Sequence, residues 1–292
     1  MRIGLLTRNR DAWCSSRLLN AFRRRGAQPI AISFSDIVTR ENLDPKVSVE
    51  NFDLIKDLEA LLVRPIGRGS LDEVIFQMDM LHTLSRAGLP VINQPSAIEK
   101  AVDKYYALAL LGESGIPVPK TIVTESVPEA MRAFREFGGE AVVKPVFGSR
   151  GIGAARISDA DVAERVFRTL RFHRHVLYVQ EFVAHGKSDM RLFIIGGKVV
   201  ASMYRVSKSW KTNVSQGASS VRADLSTETE KLAIDAAKAI GCDIAGVDIM
   251  ENQKGLFVNE VNSQPGWRGL QSTTKISIAD QIAGYVLSKA HR

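Results

Sequence analysis

Residues 244–271 read IAGVDIMENQKGLFVNEVNSQPGWRGLQ, and this stretch decides the fold of the chain. Two apolar segments, IAGVDIME and LFVNEVN, flank the turn NQKG, so we expect them to pair as a β-hairpin. Because side chains alternate between the two faces of a strand, Val258, Glu260 and Asn262 are expected to share one face. A carboxylate and an amide in such a row, followed by Pro-Gly-Trp-Arg-Gly, indicate a polar site followed by a loop.

The hairpin places acidic side chains on both of its strands. Asp248 lies on the first strand and Glu260 on the second, with Asn262 two residues further along. Two carboxylates and an amide oxygen suit a hard cation such as Mg²⁺ that also contacts phosphate oxygens. The alternative is a solvated face of an edge strand. The apolar neighbours favour the metal site, since an uncompensated carboxylate is costly in a core.

A second signal is AVVKPVFGSRGIGA, residues 141–154, in which Lys144 stands among valines. A lysine in the middle of an apolar strand needs an anionic partner. The glycine-rich loop that follows offers N–H groups that could close over phosphate, although a plain hairpin turn would explain the loop alone. It does not match GxxxxGK[ST] and it leads into a strand, so neither a P-loop nor a dinucleotide fingerprint is present. We interpret it as a lid over a nucleotide.

A third signal is YVQEFVAHGKSDMRLF, residues 178–193. Residues 180–183 end a strand and could present backbone groups to the edge of a base. Lys187, Asp189 and Arg191 then supply charges of both signs. A solvated connection between strands explains this segment equally well when it is taken alone.

Cations follow in the next hairpin, whose turn is Gly196-Gly197. Arg191 and Arg205 begin and end the paired strands, and Lys211 and Asn213 lie in the loop beyond. Guanidinium groups beside a metal site suit phosphoryl transfer, in which catalysis rests on positioning and charge stabilisation. Each arginine by itself would be an ordinary surface residue.

Composition sets the class of protein. The 292 residues are 45% hydrophobic and 24% charged, which is typical of a globular protein of roughly two domains. No apolar run approaches the ~18 residues of a membrane span. Cys14 and Cys242 have no metal-ligand spacing, which favours a reduced, cytoplasmic protein. The net charge of +7 suits an anionic small molecule or an acidic peptide as well as nucleic acid.

Strands and helices alternate over the first ~90 residues, which predicts an α/β unit with an open, largely parallel sheet. A helix over 94–111 and a Gly- and Pro-rich link then begin a smaller unit. The last unit contains the two hairpins. We therefore predict three domains, at residues 1–93, 94–175 and 176–292.

Taken in order, these motifs resemble the ATP-grasp superfamily, and within it the RimK-type branch of carboxylate–amine ligases. The matching stretches are DKYYALALLGESGIPVPKT, VVKPVFGSRGIG, VQEFVAHGKSDMRLFIIGGKVVASMYR, KTNVSQGA, AGVDIME and NEVNSQPGWRGLQ. They run from about Asn93 to the end of the chain. The resemblance implies an α/β (α+β) ATP-grasp fold, with a Rossmann-like pre-ATP-grasp domain before it and a metal site in its last domain.

The resemblance also implies a role for each matching position. ATP would contact Lys104, Lys144, Ser149, Gly151, Gln180, Glu181, Phe182, Val183, Lys187 and Asp189. Asp248, Glu260 and Asn262 would hold two Mg²⁺ ions, or Mn²⁺ in their place. Arg191, Arg205 and Asn213 would steady the transferred phosphoryl group. As a separate hypothesis, Arg64, Arg68, Lys211 and Arg268 bind an anionic acceptor, although surface salt bridges explain Arg64 and Arg68 equally well.

The implied reaction activates a carboxylate as an acyl phosphate and joins it to an amino acid, usually L-glutamate. Acceptors within this branch include anionic cofactors such as tetrahydromethanopterin, the tail of a ribosomal protein and an amino-group carrier protein. The segments LLTRNRDAWCSS, LLVRPIGRGS and NSQPGWRGLQSTTKISIAD look most like the archaeal-type members, which favours the cofactor. By analogy the protein would be a homodimer or homotetramer. The rival from another class is a basic RNA- or ribosome-binding protein with a degenerate ATP site, against which the intact acidic set argues.

Overall fold

A computed structural model describes residues 1–67, 69–148, 151–214 and 217–290 of the chain. In chain order its strands are β1 (Arg2–Leu6), β2 (Gln28–Ile32), β3 (Ile37–Thr39), β4 (Val47–Val49), β5 (Phe52–Asp53), β6 (Ala60–Val63), β7 (Val91–Ile92), β8 (Thr121–Thr124), β9 (Ala141–Lys144), β10 (Ala155–Ile157), β11 (Leu177–Glu181), β12 (Ser188–Ile195), β13 (Lys198–Val206), β14 (Ser219–Arg222), β15 (Ile244–Asn252) and β16 (Gly255–Asn262).

The helices in the same order are α1 (Trp13–Arg24), α2 (Leu54–Asp57), α3 (Leu71–Arg86), α4 (Pro95–Val102), α5 (Lys104–Glu113), α6 (Val127–Glu136), α7 (Ala160–Phe172), α8 (Thr227–Ile240), α9 (Arg268–Gln271) and α10 (Ile278–Ala290). None of these helices has both the length and the apolar content that a membrane crossing requires.

The first sheet is parallel, with the strand order β2-β1-β6-β7. This confirms the alternating α/β pattern predicted for the first ~90 residues. Ser70 and Glu73 form a capping box at the start of α3, which fixes its first turn. A small antiparallel sheet of β3, β4 and β5 lies between β2 and β6 and was not predicted. Its strands are two or three residues long, too short for a periodic pattern to show.

The single helix predicted over 94–111 is wrong, because the chain breaks at Asp103 into α4 and α5. The Asp103 side chain accepts hydrogen bonds from the backbone N–H groups of Tyr105 and Tyr106 at 2.9 and 3.0 Å. It therefore caps a new helix, since these first-turn N–H groups have no partner within the helix. As a result Lys104 is the first residue of α5.

The second sheet is antiparallel, with the order β10-β9-β11-β8. Helices α6 and α7 cover it through a core that includes Phe134, Val143, Phe167 and Val179. Lys144 ends β9 on this sheet, opposite the buried Tyr178 near the start of β11.

The third sheet has the order β14-β13-β12-β15-β16, with the predicted two-residue turn at Gly196 and Gly197 between β12 and β13. Leu192 and Ile194 of β12 pack toward α8, whereas Phe193 and Ile195 belong to the core that contains α1 and α10. By this alternation Asp189 and Arg191 point to the same side as Phe193. Side chains from the first sheet also belong to the core that contains α1 and α10. The division into three domains stays a prediction.

The expected face of β16 needs a correction. Val258 and Val261 both lie in the core beside α8 although they are three residues apart. The pairing explains this, because Ile249 faces Val258 while the preceding Asp248 faces Glu260, so Asn259 is an extra residue in a β-bulge. Val258 and Glu260 therefore do not share a face. Glu260 still stands opposite Asp248, as the hairpin predicted.

Candidate active site

An open cleft lies between the second and third sheets. It collects most of the residues singled out from the sequence. These are Lys104, Lys144, Gly151, Gln180, Glu181, Phe182, Val183, Asp189, Arg205, Lys211, Asn213, Asp248 and Glu260. They come from α5, from strands of both sheets and from the loop after β13, so only the tertiary structure brings them together.

Lys144 is held by two neutral amides. Its Nζ donates to Gln180 Oε1 at 2.7 Å and to Asn259 Oδ1 at 2.9 Å. Burial lowers the pKa of Lys144 to about 8, although the nearby Glu260 carboxylate opposes that shift. Over the described residues Lys144 forms no ion pair with a carboxylate, so its charge is available to an anionic ligand.

Lys104 connects α5 to the glycine-rich loop. Its Nζ donates to the carbonyl oxygens of Val146 and Gly148, just before the loop turns. Burial lowers the pKa of Lys104, and the Glu260 and Asp103 carboxylates act against this. Gly151, with a φ of 70°, adopts the left-handed conformation that favours glycine. Ser149, which was predicted to contact ATP, lies outside the described residues.

An aromatic pocket forms at the end of β11. The Arg156 guanidinium lies 3.7 Å from the centre of the Phe182 ring, and Trp210 meets that ring edge-on at 6.1 Å. Gln180 is fixed by Thr121, whose hydroxyl accepts from its amide at 2.9 Å. Such a pocket suits a planar base that stacks on aromatic side chains and reads backbone groups. Trp210 was missed because it stands alone in a polar loop, VSKSWKTN.

A charged network lies at the deep end of the cleft. Arg191 binds Asp248 in a bidentate manner, with Nε–Oδ1 at 2.6 Å and Nη2–Oδ2 at 2.7 Å. Arg205 Nη2 lies 3.0 Å from Asp248 Oδ2 and also donates to Asp189 Oδ2, while Arg205 Nε donates to Asp189 Oδ1 at 2.7 Å. The antiparallel register brings these groups together, since Arg191 faces Asp248 and Asp189 faces Arg205 across the strands.

The network is balanced, with two carboxylates and two guanidinium groups. Burial tends to raise the pKa of Asp248, but Arg191 and Arg205 hold it below its usual value. Burial tends to lower the pKa of Arg205, and the two carboxylates raise it instead. Burial raises the pKa of Asp189, the carboxylate with the single guanidinium partner. Arg191 and Arg205 were expected to contact phosphate, and the structure shows them bound to protein carboxylates.

The oxygen ligands of the predicted metal site can be tested against these contacts. Asp248 accepts one hydrogen bond at Oδ1 and two at Oδ2, so one of its roughly four lone-pair sites is unused. Glu260 forms no ion pair within the described part of the chain. Asn262 donates through Nδ2 to Gly246 O at 3.3 Å, which leaves its Oδ1 for a cation. The donor set fits Mg²⁺.

No group of three or more His, Cys, Asp or Glu suited to a metal occurs among the described residues. A cation at Asp248 and Glu260 would therefore depend on the Asn262 amide and on substrate oxygens. This is the usual way in which proteins hold Mg²⁺ beside phosphates.

Several predicted residues lie elsewhere. Lys187 is exposed, and Arg191 stands behind Asp248. Neither of these residues lines the cleft, and Asn262 does not line it either. Arg268 is exposed on α9, and Arg68 lies outside the described residues. The surface salt bridge offered as an alternative for Arg64 is wrong, because this residue is 6% exposed and pairs with no carboxylate in the described ranges.

The sequence interpretation missed further lining residues, namely Tyr178, His185, Trp210, Thr212, Met250 and Asn259. Burial raises the pKa of Tyr178 to about 12, so its hydroxyl stays protonated and acts as a neutral group. Asn259 directly precedes Glu260 in the sequence. Its place in the cleft depends on the β-bulge, which the sequence pattern did not predict.

The comparisons with known proteins agree with this geometry. Residues 101–286 match the RimK-like ATP-grasp domain. The chain is 35% identical to the tetrahydromethanopterin:alpha-L-glutamate ligase of Methanocaldococcus jannaschii, over 97% of both chains. It is 32% identical to the enzyme of the same name from Methanosarcina acetivorans, over 98% of both. A probable alpha-L-glutamate ligase of Vibrio vulnificus is 31% identical, over 99% of this chain and 96% of that one.

Solved structures show the same fold. The ATP-grasp ligase PsnB complexed with minimal precursor superposes with a TM-score of 0.80 at 19% identity, over 98% of both chains. The RimK domain ATP-grasp protein of Sphaerobacter thermophilus gives a TM-score of 0.76 at 22% identity, over 98% of this chain and 100% of that one. The protein belongs to the RimK-like ATP-grasp family.

Proposed function

We propose that the protein is an ATP-dependent ligase that joins an acceptor carboxylate to the amino group of L-glutamate. The observation that carries this proposal is the cleft itself. Between an aromatic pocket and the Asp248–Glu260 pair it places two lysines that have no carboxylate partner among the described residues. The relatives named as tetrahydromethanopterin:alpha-L-glutamate ligases support the choice of amino acid.

In this proposal ATP lies along the cleft. Its base occupies the pocket of Gln180, Glu181, Phe182 and Val183, against Trp210. Lys104, Lys144 and Gly151 contact its phosphates. Both oxygens of Asp189 are bound by Arg205. We therefore assign Asp189 the task of orienting that guanidinium.

The acidic end of the cleft holds the metal. Asp248, Glu260 and Asn262 would bind two Mg²⁺ ions, or Mn²⁺ in their place. When bound, these cations neutralise the charge that develops on the transferred phosphoryl group. Arg191 keeps the Asp248 carboxylate ionised and oriented, because it donates two hydrogen bonds to it.

The chemistry proceeds in two displacements. An oxygen of the acceptor carboxylate attacks the γ-phosphorus, the bond to the β,γ-bridging oxygen breaks, and ADP leaves. The amine of glutamate then attacks the acyl carbon, inorganic phosphate departs, and the amine loses a proton. Arg205 and Asn213, which line the cleft, steady the transferred group by charge and hydrogen bonding, and Arg191 acts through the Asp248 carboxylate that it binds. No side-chain nucleophile is required.

The acceptor in this proposal is a carboxylate-bearing anion of the tetrahydromethanopterin class. The names of the tetrahydromethanopterin:alpha-L-glutamate ligases support it, as do the net charge of +7, Lys211 in the cleft and the exposed Arg268.

The test measures ADP release with Mg²⁺, L-glutamate and one acceptor at a time. The acceptors are tetrahydromethanopterin and a synthetic peptide that ends in glutamate, with a reaction lacking any acceptor as control. We expect ADP only with the pterin, and mass spectrometry of the product should show an added glutamate residue. Equal ADP release without any acceptor would contradict the ligase assignment. Addition to the peptide alone would overturn the acceptor class but leave the reaction type standing.

A further inference from the structure

Arg64 is a buried cation without an anion beside it. It follows β6 directly, is 6% exposed, and forms no ion pair anywhere in the described ranges. Its Nη2 donates to Pro265 O at 3.0 Å, and its guanidinium lies 4.9 Å from the centre of the Trp267 ring. Burial lowers the pKa of Arg64, and only the Cys14 thiol acts against this. A buried guanidinium is costly unless an anion compensates it.

Two more buried hydrogen-bond donors lie in the loop that contains Pro265. The Nε1 atom of Trp267 and the Nε2 atom of Gln264 are inaccessible to solvent and have no hydrogen-bond partner among the described residues. Buried polar groups in folded proteins nearly always have a partner. An indole nitrogen can only donate, and a guanidinium can only donate. Arg64, Gln264 and Trp267 therefore share the need for one kind of group, a hydrogen-bond acceptor.

These donors lie next to the reactive end of the cleft. Pro265, which separates Gln264 from Gly266, packs over Gly246, where an added Cβ would come within 2.8 Å of the Pro265 side chain and 3.9 Å of Arg191 Nε. Gly246 precedes Asp248 by two residues on β15. The group held by Arg64 would thus be a close neighbour of the network that we assign to phosphoryl transfer.

The loop is held in this position from the first sheet. Asn93, which follows β7, donates through Nδ2 to Ser263 O at 2.5 Å and to Ile244 O at 2.8 Å, and its Oδ1 accepts from Ile244 N at 2.8 Å. Asn93 and Arg64 together bind two carbonyl groups of the segment that leaves β16. A fixed backbone allows the donors to discriminate between ligands, because they cannot move to find other partners.

We propose that Arg64, Gln264 and Trp267 form a subsite for a substrate carboxylate. The inference rests on the proposed function, because that function supplies two candidate carboxylates close to the reacting atoms. One belongs to the incoming amino acid, which keeps its own carboxylates while its amine reacts, and the other is a non-reacting carboxylate of the acceptor. A carboxylate has about four acceptor sites, enough for a guanidinium, an indole and an amide.

The kinetic test replaces Arg64 by methionine, which keeps the length of the stem and removes the charge. The KM values for L-glutamate and for the acceptor are measured separately in wild type and in Arg64→Met. We expect one of them to rise about tenfold to a hundredfold, from the loss of a charged hydrogen bond, while the KM for ATP stays unchanged. The KM that rises identifies the source of the carboxylate. A lower kcat with both KM values unchanged would overturn the subsite.

A binding test keeps the inference separate from the proposed reaction. Thermal unfolding of the full-length protein is followed with L-glutamate, with its monoamide L-glutamine, and with the acceptor, in the absence of ATP. We expect either L-glutamate or the acceptor to raise Tm in wild type, and the shift to vanish in Arg64→Met. L-glutamine keeps the α-carboxylate, so a shift by L-glutamate alone identifies the side-chain carboxylate, and a shift by both amino acids identifies the α-carboxylate. No shift by any of the three ligands, or the same shift in Arg64→Met, would overturn the subsite. Arg165→Met, on the exposed face of α7, is the matched control and should behave as wild type.

A second variant supplies the carboxylate from the protein itself. Gln264→Glu places a carboxylate one residue away from the carbonyl that Arg64 binds. We expect this variant to fold with a Tm at or above the wild-type value and to lose at least tenfold in affinity for the same ligand. Unchanged affinity would overturn the subsite. This test stays decisive even if Arg64→Met fails to fold.

Discussion

Interior arginines in this protein differ in how their charge is compensated. Arg205 is buried and Arg191 is half-buried, and both belong to a balanced network with Asp248 and Asp189. Among the described residues Arg64 contacts a carbonyl oxygen, an aromatic ring and the Cys14 thiol, but no carboxylate. A balanced network holds its geometry without a ligand, and removing one of its members leaves an unpaired charge. A cation without a carboxylate partner depends on a ligand for compensation, so replacing that cation should alter ligand binding more than folding.

The largest expected effect is that of Asp248→Asn. This carboxylate is 2% exposed and binds two guanidinium groups, which the neutral amide would leave partly uncompensated. Breaking a buried pair costs about 3–5 kcal/mol. We expect the free energy of unfolding to fall by about that amount, as measured by urea denaturation, together with loss of ADP release. An unchanged urea midpoint would show that the network does not support the fold.

Glu260→Gln should separate activity from stability. Glu260 lies opposite Asp248 but forms no ion pair in the part of the chain that is described, so the fold should not depend on its charge. We expect ADP release to fall about a hundredfold or more, because the metal site loses a carboxylate. The Tm should stay within a few degrees of wild type. Full activity would contradict the metal assignment, and Glu251→Gln, an exposed change on the same hairpin, is the control.

Lys144 should make ATP binding dependent on pH. Its pKa of about 8 lies below the value of 10.5 for a free lysine, so the charge that attracts phosphate is lost as pH rises through about 8. We expect the dissociation constant of ATP, measured by calorimetry without an acceptor, to increase between pH 7 and pH 9. In Lys144→Arg this dependence should disappear, because a guanidinium stays charged over the range. The same dependence in Lys144→Arg would exclude Lys144 as its source.

The same shift of Lys144 has a consequence for stability. Its pKa in the folded protein is lower than in the unfolded chain, so between about pH 8 and 10.5 the unfolded chain binds more protons. This residue therefore favours folding increasingly as pH rises through that window. Urea denaturation of wild type and Lys144→Met at pH 7.5 and pH 10 should show that the wild type gains stability relative to the variant at the higher pH. A relative loss of wild-type stability at pH 10 would contradict the direction of the shift.

Trp210→Ala should give the smallest effect. The indole ring packs edge-on against Phe182 at 6.1 Å, and a contact of this kind contributes about 0.5–1.5 kcal/mol. We expect the KM for ATP to rise about threefold to tenfold, with little change in kcat at saturating ATP. Phe172→Ala removes an aromatic ring that is 83% exposed, outside the cleft, and should leave both constants unchanged. An unchanged KM in Trp210→Ala would place the base elsewhere.

Much of the fold follows from local patterns. The alternating strands and helices of the first sheet and the turn at Gly196 and Gly197 were predicted, because periodicity and turn chemistry are local properties. The break at Asp103 was not predicted, since the apolar pattern continues through it and only the capping side chain interrupts it. The short sheet of β3, β4 and β5 has no periodic signal at all.

The features of the candidate site also fall into those that local sequence patterns predict and those that they do not. The sequence by itself determined which chemical groups are present, namely Lys144 among valines, Asp248 and Glu260 on paired strands, and the polar end of β11. Residue identity and alternation along a strand are enough to identify them. Only the tertiary structure decided that a bulge moves Asn259 into the cleft and that Arg191 binds Asp248. It also decided that Arg64 is buried without an anion. These features depend on the register between strands and on burial by distant segments, and no local pattern encodes either.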